Sequence, residues 1–239
     1  PSNDTCGGAI VLSGSSGTRA DTFDGATQTV VDCASGREIW YRITLAARSI
    51  LYVDSLGSTF DTQISVRSAC GGASLQCEDD DCSTLQEQLV RDVPAGTYYI
   101  AVHAFSSGTT TGTVNLRWGT IATGNGAATR ILGNGRFSGT TSGTGITSGT
   151  CAGSGPEDVH YFTLCPATTR TVGVTTCTLA SWDTTLYVRS AGGAEVACND
   201  DACSLQSTTS GSVSGPGVFA IFVDGFGSSS MGAYSIDVT

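Results

Sequence analysis

The sequence predicts an all-β fold built as two tandem antiparallel β-sandwich domains. Two observations carry that reading, a period-two apolar pattern and an internal repeat, and a third, the cysteine content, adds disulfide staples. Ile39, Tyr41, Ile43 and Leu45 alternate with Trp40, Arg42 and Thr44, and Tyr98, Ile100 and Val102 alternate with Tyr99 and Ala101. Near the C-terminal end Tyr234, Ile236 and Val238 alternate with Ser235 and Asp237. Short runs of this kind, bounded by Gly, Ser or Asp, are half-buried strands, because successive strand side chains point to opposite faces. No stretch carries a convincing 3.6-residue period with caps. Many short strands separated by turns define a sandwich.

The repeat sets the domain organisation. Phe60-Asp61-Thr62-Gln63-Ile64-Ser65-Val66-Arg67-Ser68-Ala69 returns as Trp182-Asp183-Thr184-Thr185-Leu186-Tyr187-Val188-Arg189-Ser190-Ala191. Cys77-Glu78-Asp79-Asp80-Asp81-Cys82 is answered by Cys198-Asn199-Asp200-Asp201-Ala202-Cys203. Gly96-Thr97-Tyr98-Tyr99-Ile100-Ala101-Val102 matches Gly217-Val218-Phe219-Ala220-Ile221-Phe222-Val223. The order and offset place a first domain at 1–119, a short small-residue linker at 120–128 and a second domain at 129–239.

Charge narrows the partners. Sixteen Asp and five Glu face eleven Arg and no Lys, a net charge of −10. Such a surface repels nucleic acid and anionic membranes and favours divalent cations or basic partners. Ten cysteines point to an oxidising compartment, and two histidines are too few for a scattered zinc site. No apolar run reaches the length of a membrane-spanning helix. A start at Pro1, with no basic-then-apolar leader, reads as a mature exported form. The expected location is extracellular or cell-surface.

With those blocks in view, Val93-Pro94-Ala95-Gly96-Thr97-Tyr98-Tyr99-Ile100-Ala101-Val102 resembles the signature of bacterial pre-peptidase C-terminal domains. So does Gly215-Pro216-Gly217-Val218-Phe219-Ala220-Ile221-Phe222-Val223-Asp224-Gly225. Asn3-Asp4-Thr5-Cys6 and Cys198-Asn199-Asp200-Asp201 are similar to the cysteine-rich version of secreted myxobacterial-type proteins. The resemblance implies a jelly-roll-like sandwich that accompanies secreted peptidases without being catalytic. Some relatives bind calcium, and some bind collagen or other polymers.

Catalytic motifs are missing. There is no G-x-S-x-G elbow, H-E-x-x-H helix or phosphate-binding glycine loop. His103 takes the position of Asp224, and His160 that of Trp40 or Tyr41, which makes both strand residues. The chain is expected not to be an enzyme.

The acidic turns suggest calcium. Asp79, Asp80, Asp81, Asp200, Asp201 and Asp224 are the candidate ligands, with Asp61 and Asp183 able to contribute, because clustered carboxylates suit a hard cation. The competing reading is that Asp and Asn simply cap tight turns. Calcium aside, no cofactor is implied.

For the cysteines, recurrence suggests that Cys77 pairs with Cys82 and Cys198 with Cys203. A hairpin would bring Cys151 to Cys177, and Cys6 is the natural partner for Cys33. Cys70 and Cys165 are then left over, for an inter-domain or inter-subunit bond. These spare cysteines favour a structural or adhesive protein of the cell exterior that polymerises with itself. The alternative is a polymer-binding accessory module, for carbohydrate or protein, using an aromatic row drawn from Tyr99, Phe105, Trp118 and Phe226.

Overall fold

The structure is a computed structural model that describes residues 1–31, 36–124 and 126–239. It is all-β, with two compact units: 1–46 with 51–120, and 47–50 with 121–239. The strands of the first half are β1 (Ile10–Val11), β2 (Ser16–Thr22), β3 (Glu38–Leu45), β4 (Ser49–Asp54), β5 (Thr62–Arg67), β6 (Ser74–Asp79), β7 (Gln88–Val93), β8 (Gly96–Ala104) and β9 (Thr113–Ala122). The second half holds β10 (Thr129–Arg130), β11 (Gly135–Thr140), β12 (Asp158–Leu164), β13 (Thr169–Thr175), β14 (Thr184–Ser190), β15 (Glu195–Asn199), β16 (Thr208–Ser214), β17 (Gly217–Gly225) and β18 (Ala233–Val238).

Each unit is a sandwich of a five-stranded and a four-stranded sheet. The orders are β1-β3-β8-β5-β6 over β2-β9-β4-β7, and β10-β12-β17-β14-β15 over β11-β18-β13-β16. The two-residue strands β1 and β10 run parallel to β3 and β12, whereas neighbours within β3-β8-β5-β6, β2-β9, β12-β17-β14-β15 and β11-β18-β13-β16 pair antiparallel. The long central strands β8 and β17 are each flanked on both sides, so sequence-distant residues meet across them.

The alternation sorts as the pattern required. Ile39, Tyr41, Ile43, Tyr98, Ile100 and Val102 enter the first core, and Phe219, Ile221, Val223, Tyr234, Ile236 and Val238 the second. What the pattern does not show is that the outer face of each five-stranded sheet is covered too. Trp40, Ser65 and His103 in the first unit, and Tyr187, Phe222 and Asp224 in the second, are all fully buried there. Asn3 lies against Trp40, its Nδ2 donating to the Trp40 carbonyl at 3.2 Å. In the second unit the Tyr187 and Phe222 rings stack at 4.6 Å, and the Arg189 guanidinium lies 4.7 and 5.1 Å from their centroids. The segment preceding β12 lies over this layer. Arg189 donates to the Ser148 carbonyl at 2.5 Å, and Cys151 is bonded to Cys198.

The cysteine pairing corrects the expected one. Cys6 bonds Cys70, Cys151 bonds Cys198, and Cys177 bonds Cys203. The expected local pair Cys198–Cys203 does not form, nor do Cys151–Cys177 and Cys6–Cys33; Cys33 itself lies outside the described residues. The reason is geometric. Cys198 sits within β15 opposite Tyr187, whereas Cys203 belongs to the turn beyond the strand. The bonds therefore staple distant segments, and loops of this size stabilise by about 3–4 kcal/mol each in the chain-entropy model. Cys70 is not spare, and Cys77, Cys82 and Cys165 are also in disulfide form. Among the described residues no cysteine is a free thiol.

A candidate ion-binding pole in each unit

The strand ends of each five-stranded sheet gather three aspartates. Asp61 immediately precedes β5, Asp79 ends β6 and Asp80 follows it, and these three bring one carboxylate oxygen each within 4.8 Å of one another. In the second unit Asp183 precedes β14, Asp200 and Asp201 follow β15, and the same convergence occurs within 4.8 Å. The local cause is the hairpin register: Gln63 faces Asp79 and Leu186 faces Asn199, so the start of one strand lies beside the end of the next. Asp80 completes its turn in the left-handed region, at φ 52°.

The electrostatics of the two poles match. Partial burial pushes the Asp61 carboxyl above its ordinary range, and the neighbouring Asp80 and Asp79 add to that. Burial raises Asp183 likewise, helped by Asp200 and Asp201. Asp200 is also raised by burial, against a 3.2 Å hydrogen bond from the Thr185 hydroxyl. Oδ1 of Asp61 and Oδ1 of Asp183 are both shielded from solvent and accept no hydrogen bond. A carboxylate oxygen left in that state costs free energy that a cation would recover. Three converging carboxylates are a donor set for a hard divalent ion.

Asp79, Asp80, Asp200 and Asp201 thus meet with Asp61 and Asp183, but two other candidates stand apart. The Asp81 Oδ1 accepts the Cys82 N–H at 2.7 Å, which is turn chemistry. Asp224 is fully buried within β17, where the Tyr187 hydroxyl donates to its Oδ2 at 3.2 Å. Burial, then the nearby Glu157, raise Asp224 to about 7. The segment over this sheet lies close enough that a Cβ on Gly153, at φ +111°, would fall 2.5 Å from the Asp224 Oδ2. The aromatic row does not form either: Trp118 belongs to the first core, while Phe105 and Phe226 are exposed at equivalent strand ends.

A buried polar triple in the first unit was signalled in the sequence only by His103 at the end of an apolar strand. The Ser65 hydroxyl and His103 Nε2 are 2.9 Å apart, and His103 Nδ1 is 3.9 Å from the Glu38 Oε2. The atoms follow the order of a hydrolase triad. All three side chains are fully buried, which closes Ser65 to a substrate. Glu38 is tied down by the Thr29 N–H at 2.8 Å and the Trp40 indole at 3.3 Å. The equivalent residues of the second unit are Tyr187, Asp224 and Glu157, so the constellation changes with the copy. His160 is similarly structural: its Nε2 meets the Tyr234 hydroxyl at 2.8 Å, and burial lowers its pKa.

An all-β, disulfide-stapled double sandwich with an acidic pole per unit is the class of protein that results. Solved structures similar to the chain include the pre-peptidase C-terminal domain of a collagenase from Bacillus anthracis. It is 18% identical, with TM-score 0.33, over 47% of this chain and 94% of that one. The CUB1-EGF-CUB2 domains of rat MASP-1 match at 9% identity and TM-score 0.27, over 96% of this chain and 99% of theirs. A putative secreted protein from Eubacterium rectale matches at 14% identity and TM-score 0.28, over 92% of this chain and 73% of its own. No family model and no curated protein matches the sequence.

Proposed function

We propose that the chain is a non-catalytic, extracellular adhesive or accessory module that binds a polymer outside the cell and holds calcium at the acid pole of each unit. The observation that supports this is the recurrence of the aspartate trio, with the same shielded oxygen, in two copies that differ widely elsewhere. Disulfide-bonded cysteines suit an oxidising exterior, and no helix among the described residues is long and apolar enough to cross a membrane. Growth of a fibre through spare cysteines loses its motive at Cys70, which is bonded to Cys6. A partner other than the chain itself is therefore the favoured reading.

Calorimetric titration of calcium into the intact chain tests the ion. Two sites are expected, with dissociation constants of about 0.1–1 mM, the range of extracellular modules, and each should vanish with Asp61→Asn or Asp183→Asn. Absence of heat and of any thermal shift in millimolar calcium would refute it. Light scattering with and without reductant tests the partner reading alongside: a monomer is expected, and a regular polymer would restore the self-assembling alternative.

A further inference from the structure

Two exposed apolar side chains recur at equivalent places in the two units. Phe105 and Phe226, just past the ends of β8 and β17, are 50% and 49% exposed, and Leu85 and Leu205 are 56% and 51% exposed. Backbone hydrogen bonds fix the equivalence. The Phe105 N–H donates to the Asp61 carbonyl at 3.0 Å and the Phe226 N–H to that of Asp183 at 3.1 Å. The Thr62 N–H donates to the Leu85 carbonyl at 3.0 Å and the Thr184 N–H to that of Leu205 at 2.9 Å. One exposed Phe and one exposed Leu therefore flank, in each unit, the aspartate whose Oδ1 has no hydrogen-bond partner. Neighbours have changed between the copies, Phe60 to Trp182 and Asp81 to Ala202, while these apolar pairs stay. In both copies the Phe leaves half of its surface open beside a second exposed apolar side chain at the acidic pole, an apolar area that a partner would bury.

We propose that each pole is a docking surface for a segment of a partner protein. An apolar side chain of the partner seats at the exposed Phe and Leu, and an adjacent Lys pairs with the pole's solvent-facing carboxylates, Asp79 and Asp80 in the first unit and Asp201 in the second. This rests on the pole reading above and names the class of partner. Charge selects the occupant. A second copy would bring three carboxylates against three, and an acidic polysaccharide or lipid would be repelled in the same way. An ammonium brings the opposite charge and the N–H donors that exposed carboxylates accept. The chain contains no Lys, so an ammonium side chain comes from elsewhere. Calcium draws on the same oxygens and should compete with the partner.

The test uses a short synthetic peptide of alternating Leu and Lys, titrated into the intact chain at physiological salt and followed by calorimetry and amide chemical shifts. A Lys–Ser peptide, a Leu–Glu peptide and zwitterionic lipid vesicles serve as comparisons. Binding of the Leu–Lys peptide is expected, with shifts at Phe105, Leu85, Phe226 and Leu205 and weakening on addition of calcium. The double variant Phe105→Ser with Phe226→Ser should lose about tenfold or more in affinity, as removal of an anchor does. Leu85→Ser with Leu205→Ser provides a second variant, its fold checked by the same spectra. Equal binding by the Lys–Ser peptide, or undiminished binding by both double variants, would reduce the contact to unspecific charge attraction and overturn the proposal. Binding to the vesicles in place of the peptide would overturn it in favour of a membrane surface. Calcium uptake without peptide binding would refute docking alone; uptake of neither would refute the pole reading as well.

Discussion

At the pole of the first unit Asp61, Asp79 and Asp80 converge beside exposed Phe105 and Leu85; at the second, Asp183, Asp200 and Asp201 converge beside exposed Phe226 and Leu205. On the outer face of the same sheets the two copies part company. Ser65, His103 and Glu38 in one become Tyr187, Asp224 and Glu157 in the other, all of them buried. The contrast separates two kinds of constraint. A buried network can be exchanged for another when the volume stays filled and its central contact is replaced, as Ser65 with His103 gives way to Tyr187 with Asp224. A solvent-facing cluster of like charge has no packing reason to persist, so its persistence speaks for use.

The largest effect is expected when one unit is made to carry the other's buried triple. His103→Asp would set a second carboxylate against Glu38, whose pKa burial already raises, where Ser65 stands in place of Tyr187. A loss of about 3–5 kcal/mol at neutral pH is expected, as for an uncompensated buried charge. It should shrink toward pH 4, as read by urea unfolding. Next in size, calcium at a hundredfold excess over its dissociation constant should stabilise each unit by about 2.7 kcal/mol, seen as a rise in Tm that Asp61→Asn and Asp183→Asn remove.

Asp224 sharpens the contrast through pH. Its folded pKa of about 7 lies above the unfolded value near 3.9, so the folded state holds the proton more tightly. Its contribution is complete below about pH 4, declines as pH rises to about 7 and is flat beyond. Asp224→Asn should therefore be the more stable chain at pH 8, by about 1–3 kcal/mol, with the advantage gone at pH 4. A variant equally stable at both pH values would contradict the buried pair. The smallest effect is expected for Ser65→Ala, which removes one buried hydrogen bond to His103 at about 1 kcal/mol.

Much of the fold was legible because both its signals are local or repetitive. Alternation in 39–45 and 98–102 marks the core face, and the block from Phe60 to Ala69 announces its copy at Trp182. The pole was half legible. Asp79, Asp80, Asp200 and Asp201 stand out as acidic turns, but Asp81 and Asp224 share the composition without the place. Cysteine pairing was not legible, because recurrence suggested local loops while the sheet order carries Cys198 to Cys151 and Cys203 to Cys177. The Ser65–His103–Glu38 contact was hidden for the same reason, since β3, β8 and β5 are neighbours in space and not in sequence. A polar His at the end of an otherwise apolar strand was the one available hint.

Diffraction from a crystal soaked in terbium, a calcium surrogate with strong anomalous scattering, would locate ions at the poles. Two anomalous peaks are expected, one among Asp61, Asp79 and Asp80 and one among Asp183, Asp200 and Asp201. Peaks at Asp224 or elsewhere with both poles empty would contradict the account.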